Sequence, residues 1–272
     1  MAKKQKTAFV CSECGADYPR WAGQCTACGE WNTVKEVKLG SVGRREHKAG
    51  YAGAHSEVQL LSEVNLAQAE RISTGLAEFD RVLGGGIVKG SVVLIGGAPG
   101  AGKSTILLQA IANIALRQAA VLYVSGEESL QQIAERAHRL GLKTEGIKML
   151  AETSVQQICS VIEQEKPEVV IIDSIQVMYT LDSDSAPGSV SQVRESASYL
   201  TQYAKRHNVS IFMVGHVTKD QSLAGPMTLS HIVDAQVVLS STDDARFRVL
   251  RSDKNRFGSV GELGFLQWKA PV

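Results

Sequence analysis

Two groups of residues in this chain of 272 have types and spacings suited to chemistry. The first is Gly97-Ala98-Pro99-Gly100-Ala101-Gly102-Lys103-Ser104, followed by Thr105, which fits the pattern G-x-x-x-x-G-K-[ST]. Small residues there let backbone N–H groups turn inward around phosphates at the positive end of a helix. Lys103 is then placed to reach the β- and γ-phosphates and the Ser104 hydroxyl to ligate Mg²⁺, with residues 97–105 as the nucleotide cradle. The implied cofactors are ATP and Mg²⁺. The second group is Cys11-Ser-Glu-Cys14-Gly and Cys25-Thr-Ala-Cys28-Gly, with ten residues between the pairs. Each pair forms a knuckle whose two thiolates reach one ion, and Gly15 and Gly29 permit the tight turn. Four thiolates match the closed tetrahedral shell of structural Zn²⁺, which leaves no position open for catalysis. A thioredoxin-like redox pair would need one such motif inside a strand–helix unit, and this head reads as strandless. The fifth cysteine, Cys159, shares a helical face with Val155, Ile158 and Ile162 and reads as a core thiol.

These groups need elements to hold them. Apolar runs predict strands at Ser91–Ile95, Val121–Val124, Val169–Ile172, Ser210–Val214, Val237–Leu239 and Arg246–Arg251. Helical periodicity covers Lys103–Arg117, Leu130–Leu140, Val155–Glu165 and Val190–His207. The second of these helices opens on Ser129 with Gln132 three residues on, a capping-box pattern, and Gly141 is its stop. Unbroken runs such as Val169-Val-Ile-Ile172 suit strands buried on both faces of a parallel sheet. Alternation of strand and helix makes the class α/β, and the last two strands, joined around Thr242–Ala245, read as an added antiparallel hairpin. Residues 1–31 form the four-cysteine zinc finger, 32–60 a Gly/Ser/Lys/His-rich linker, and 61–272 the nucleotide-binding domain.

A P-loop needs a second acid to hold the magnesium. Asp173, at the end of the strand Val169–Ile172, has the Walker B position. Glu127 and Glu128 follow the strand Val121–Val124. Such a carboxylate either orients the water that attacks the γ-phosphate or merely begins a helix, and the residues alone leave both readings open. His216 closes the strand Ser210–Val214 with Gly215, where a polar group can sense a γ-phosphate. A lone histidine there reads first as structural.

Composition bounds the rest. Hydrophobic residues make up 44% and charged residues 21%, which excludes a disordered, collagen-like or disulfide-dominated chain. No apolar run approaches the roughly 18 residues of a membrane span. The opening residues are basic but lack the apolar stretch of a secretory signal, so a cytoplasmic location is expected, with no membrane partner. Net charge is +1, yet the first 50 residues carry nine Lys/Arg against five acids. A basic head on a mildly acidic body suits contact with a polyanion, although charge alone reads as a solvated surface.

Taken together, the residues resemble the bacterial RadA (Sms) family of DNA repair proteins. The resemblance lies in the four-cysteine head, Ser73-Thr-Gly-Leu-Ala-Glu-Phe-Asp-Arg-Val-Leu-Gly-Gly-Gly86, the P-loop, Tyr123-Val-Ser-Gly-Glu-Glu-Ser129 and Ile172-Asp-Ser-Ile175. It continues in Gly215-His-Val-Thr-Lys219, Ala224-Gly-Pro226 and, most specifically, Lys254-Asn-Arg-Phe-Gly258. It implies a RecA-like ATPase core that forms a hexameric ring, binds single-stranded DNA and drives branch migration or unwinding at branched recombination intermediates. A RecA-type recombinase or replication proteins would be partners. By position, the resemblance makes Glu127 the water-activating carboxylate and His216 the γ-phosphate sensor. Lys254 and Arg256 would act across a subunit interface. The linker and the segments Asp182–Ser191 and Lys219–Ser230 become loops facing DNA, with Lys219 as the phosphate contact. RadA proteins continue into a Lon-protease-like domain that helps to build the ring, whereas this sequence stops at Val272. That makes an ATP-gated DNA- or partner-binding module, with little translocation, the alternative to a motor. A KaiC-like ATPase acting on protein shares the core but not the cysteine head or the Lys254–Gly258 motif.

Overall fold

The computed structural model describes residues 7–11, 17–18, 21–38, 60, 70–183, 185–186, 188–216, 226–242 and 246–267. The chain divides into two compact units, Met1–Ala49 and Gly50–Val272.

The first unit is not strandless. Strand β1 (Thr7–Cys11) pairs antiparallel with both β2 (Asp17–Tyr18) and β3 (Val34–Lys38). The sequence hides these strands because each is only two to five residues long. Strand β3 also lies within the stretch read as linker. No helix accompanies the sheet among the described residues, so the strand–helix context of a redox pair is not there.

The second unit opens with β4 (Arg71–Ile72), helix α1 (Ala77–Val82) and β5 (Ile87–Val88). There follow β6 (Val92–Gly97), α2 (Lys103–Ala115), β7 (Val121–Ser125), α3 (Leu130–Arg139) and β8 (Ile147–Ala151). Next come α4 (Val155–Glu165), β9 (Val169–Asp173), α5 (Val190–His207) and β10 (Ser210–His216). The unit closes with α6 (Pro226–Ile232), β11 (Ala235–Ser241), β12 (Phe247–Asn255) and β13 (Leu263–Gln267). The main sheet has the order β13-β12-β11-β6-β10-β9-β7-β8. Strands β11 to β8 run parallel, and β12 and β13 are antiparallel additions. The expected α/β class, with its mostly parallel sheet and C-terminal antiparallel strands, is what the chain forms. No helix among the described residues is long and apolar enough to cross a membrane.

The central strands are buried on both faces, which is why they read as unbroken apolar runs. Val93 and Ile95 of β6 join Phe212, Tyr123 and the α2 residues Ile106, Leu107 and Ile111 in one core. Val92 and Leu94 point the other way, toward Ile158 and Ile162 of α4 and Leu200 of α5. Cys159 belongs to this second core, and burial pushes its thiol up to about 12. The capping box at Ser129 and Gln132 forms as expected, and Gly141 takes the positive φ of a helix stop. Helix α6 takes up the end of the segment Lys219–Ser230 expected as a DNA-facing loop, and residues 219–225 of that segment lie outside the described residues.

Candidate nucleotide-binding site

Parallel register decides what meets at the carboxyl edge of the sheet. Gly97 pairs with His216, and Ser125 with Asp173, so four strands end around one cleft. The cleft measures about 350 Å³ and is lined by Pro99, Gly100 and the run Gly102 to Thr105 of the P-loop together with Ser125, Glu127, Glu128, Arg136, Asp173 and His216. Such an edge is where open α/β sheets hold ligands.

Local chemistry explains the loop. Gly102, at the start of α2, has φ 100°, a left-handed conformation that glycine adopts without a Cβ penalty. A Cβ on Gly97 would lie 2.5 Å from the Leu239 carbonyl oxygen, so only glycine fits where β6 passes β11. Lys103 Nζ donates to the carbonyl oxygens of Gly97 and Ala98, at 2.9 and 3.0 Å. Burial lowers the Lys103 pKa, against the opposing pull of Asp173 and Glu127. Arg248 reaches the loop from β12, where its Nε donates to the Ala101 carbonyl at 3.1 Å.

Asp173 is buried, 7% exposed, and its partners are hydroxyls. Tyr123 donates to its Oδ2, and the Ser104 side chain also hydrogen-bonds to it. Burial raises the Asp173 pKa, these two bonds lower it, and the charges of Glu127 and Glu128 raise it further. A buried carboxylate beside the Ser104 hydroxyl is the donor set that hard divalent cations take. The residues therefore fit magnesium.

The two adjacent glutamates separate. Glu128 Oε1 is bonded by Arg136 of α3, and its N–H is held by the Ser125 hydroxyl at 3.1 Å. Glu127 instead receives the Ser174 hydroxyl on Oε1, with His216 Nε2 3.3 Å from the same oxygen. Tyr123, Ser174 and Arg136 were missed by the sequence reading. A hydroxyl inside an apolar strand and a serine directly after the Walker B acid were the available signals.

Lys254 and Arg256 lie elsewhere. Asn255 pairs with Ala235, which pairs with Val93, so this segment ends at the amino edge of the sheet, opposite the P-loop. Lys254 Nζ donates to the carbonyls of Ser230 and Val233 at the end of α6. Arg256 donates to Asp234 Oδ1 at 3.0 Å, Lys205 donates to the same oxygen at 2.8 Å, and the Val92 N–H donates to Oδ2 at 3.1 Å. The following turn is held closely: Arg71 donates to the Phe257 carbonyl at 2.8 Å, and a Cβ on Gly258 would lie 3.0 Å from Gly84 Cα. Lys219 lies outside the described residues.

In the head, the Sγ atoms of Cys11, Cys25 and Cys28 lie within 4.8 Å of one another, and Cys14 lies outside the described residues. The Tyr18 hydroxyl, 3.1 Å from Cys25 Sγ, and the Cys28 backbone hold the Cys25 thiol down at about 6. Converging thiols of this kind suit zinc.

A P-loop at the carboxyl edge of a mostly parallel sheet, facing a buried acid, defines a nucleotide-binding P-loop protein. The chain belongs to the AAA-domain family, whose model matches residues 55–222. A rubredoxin metal-binding-domain model matches residues 9–36. Over almost its whole length the chain is similar to DNA repair protein RadA. It is 60% identical to that of Escherichia coli strain K12 over 269 residues, 97% of this chain and 58% of the relative. To DNA repair protein RadA of Bacillus subtilis strain 168 it is 45% identical over 271 residues, 98% of this chain and 58% of the relative. The chain thus spans under three-fifths of the length of the curated relatives it matches.

Proposed function

We propose that this chain is an ATP-hydrolysing, single-stranded-DNA-binding motor of recombination and repair, acting at branched intermediates as an assembled ring. The observation that carries the hydrolytic half is the position of Glu127. It lines the P-loop cleft with Ser174 and His216 on its carboxylate, while Arg136 occupies Glu128. Ser104 and Asp173 would hold Mg²⁺, which when bound neutralises phosphate charge. Lys103 binds the β/γ-phosphates, Glu127 takes a proton from the attacking water, and His216, which also lines the cleft, senses the γ-phosphate. Lys254 and Arg256 lie at the opposite sheet edge, and from there they would serve the cleft of a neighbouring copy. The DNA half rests on similarity to proteins named for DNA repair and on the basic head. The four cysteines would hold one structural zinc, and a chelator should unfold the head while leaving the P-loop unit folded.

The test is ATP hydrolysis with and without single-stranded DNA, followed by unwinding of a forked duplex. Stimulation with unwinding is expected. DNA binding that responds to ATP but brings neither stimulation nor unwinding would replace the motor with an ATP-gated binding module.

A further inference from the structure

The zinc-binding head carries a feature that neither the P-loop cleft nor the cysteines use. Trp21 and Trp31 are 61% and 67% exposed. The second knuckle holds them together. Gln24 and Trp31 form a β-bridge, the Asn32 N–H donates to the Gly23 carbonyl at 2.7 Å, and the Cys25 N–H donates to that of Glu30 at 2.9 Å. These bonds make a tight hairpin with Trp21 and Gly23 on one arm and Trp31 and Asn32 on the other. A Cβ built on Gly23 would lie 3.6 Å from Trp21 Cη2 and 3.9 Å from Trp31 Cζ3. The two indole rims therefore converge over a residue that has no side chain.

Isolated exposed aromatics are ordinary, but two adjoining indoles on a hydrogen-bonded hairpin make a patch with a preferred ligand geometry. Flat faces suit flat ligands, and unpaired bases stack on tryptophan whatever their sequence. Charge selects among aromatic-seeking partners. Residues 1–49 contain nine Lys/Arg and five acids, a surplus of four positive charges. That surplus is halved, not reversed, when four thiolates close around one divalent zinc. Duplex DNA hides its base faces, so single strands are favoured.

We propose that Trp21 and Trp31 form a base-stacking platform for single-stranded nucleic acid, built on the zinc-binding hairpin. The inference rests on the proposed DNA-binding function and adds the head as a direct contact. The test uses the full chain in a Trp268→Phe background, which leaves the two head tryptophans as the fluorophores. Titration with an oligothymidylate should quench their emission saturably, and a duplex of equal length should not. Trp21→Ala and Trp31→Ala should each weaken affinity roughly tenfold, within the range of stacking losses. Neither should change the slope of log affinity against log salt, because no phosphate contact is lost. Trp21→Phe and Trp31→Phe should keep most of the affinity. Zinc content is measured in every variant, and any alanine variant that loses zinc is judged on its phenylalanine counterpart, whose full loss of affinity at normal zinc content would count against stacking. Tight oligothymidylate binding with unchanged head fluorescence, or with alanine variants equal to the parent, would overturn the platform and leave the DNA-binding reading intact. A parent chain that hydrolyses ATP but binds no oligothymidylate would overturn both.

Discussion

The two edges of the main sheet each bury an aspartate, and the two carboxylates live differently. At the amino edge Asp234 is 1% exposed and meets two cations, Lys205 and Arg256, and one backbone N–H. At the carboxyl edge Asp173 is 7% exposed and meets hydroxyls, those of Tyr123 and Ser104. A buried acid met by its own cations is neutralised and acts as scaffold. A buried acid met by neutral donors keeps a charge that a cation can still claim. The cations follow the same division. Lys103 is buried against loop carbonyls in the cleft, whereas Lys254 closes the end of α6 and Arg256 remains half-exposed beside Asp234.

The largest effect expected from this contrast concerns Arg256. If the amino edge serves a neighbour's cleft, Arg256→Ala should lower turnover by roughly 10³ or more while sparing ATP binding by the isolated chain. Mixing Arg256→Ala with Lys103→Ala should then recover activity that neither has alone. No recovery in demonstrated mixed assemblies would confine Arg256 to holding Asp234. Next in size is Glu127→Gln, which should bind ATP normally and hydrolyse it about 10²–10⁴ times more slowly. Glu128→Gln should not, because Arg136 already engages that carboxylate; parental turnover in Glu127→Gln would reverse the assignment.

Stability measurements sharpen the comparison further. Asp234→Ala strands two cations and the Val92 N–H, and should cost about 3–5 kcal/mol in denaturant unfolding. Asp173→Asn should act in the opposite direction, with a smaller effect. Burial raises the Asp173 pKa above its unfolded value, so its favourable contribution is complete at low pH and lost as pH rises through the folded pKa. At neutral pH the substitution should therefore raise the thermal midpoint of the nucleotide-free protein. The gain should shrink as pH falls toward the ordinary carboxylate range. A lower midpoint at neutral pH would mean that the Asp173 charge is already compensated.

Much of the framework was legible from residue order. Helices α4 and α5 begin and end where their periodicity does, and the P-loop lies between the strand and helix that its pattern requires. Other elements escaped notice for physical reasons. Strand β8 (Ile-Lys-Met-Leu-Ala) is an edge strand of mixed burial, so no apolar run marks it, and β13 is likewise an edge strand with a glycine inside it. Helix α1 is six residues long, too short for its period to show. Asp234 was not singled out from the sequence, and its burial and its pairing with Lys205 and Arg256 come from the fold.

By itself the sequence determined the α/β class, the place of the P-loop pattern between a strand and a helix, an acid at the end of β9 and the cysteine spacing. Each of these depends on neighbours within a few residues, through backbone conformation or short-range geometry. Tertiary structure alone decided how two adjacent glutamates in the cleft divide, because Arg136, eight residues beyond Glu128, engages Glu128 while Ser174, just after β9, bonds Glu127. It also decided that Lys254 and Arg256 stand at the edge opposite the P-loop, because strand order and register, which no local pattern encodes, fix where β12 ends.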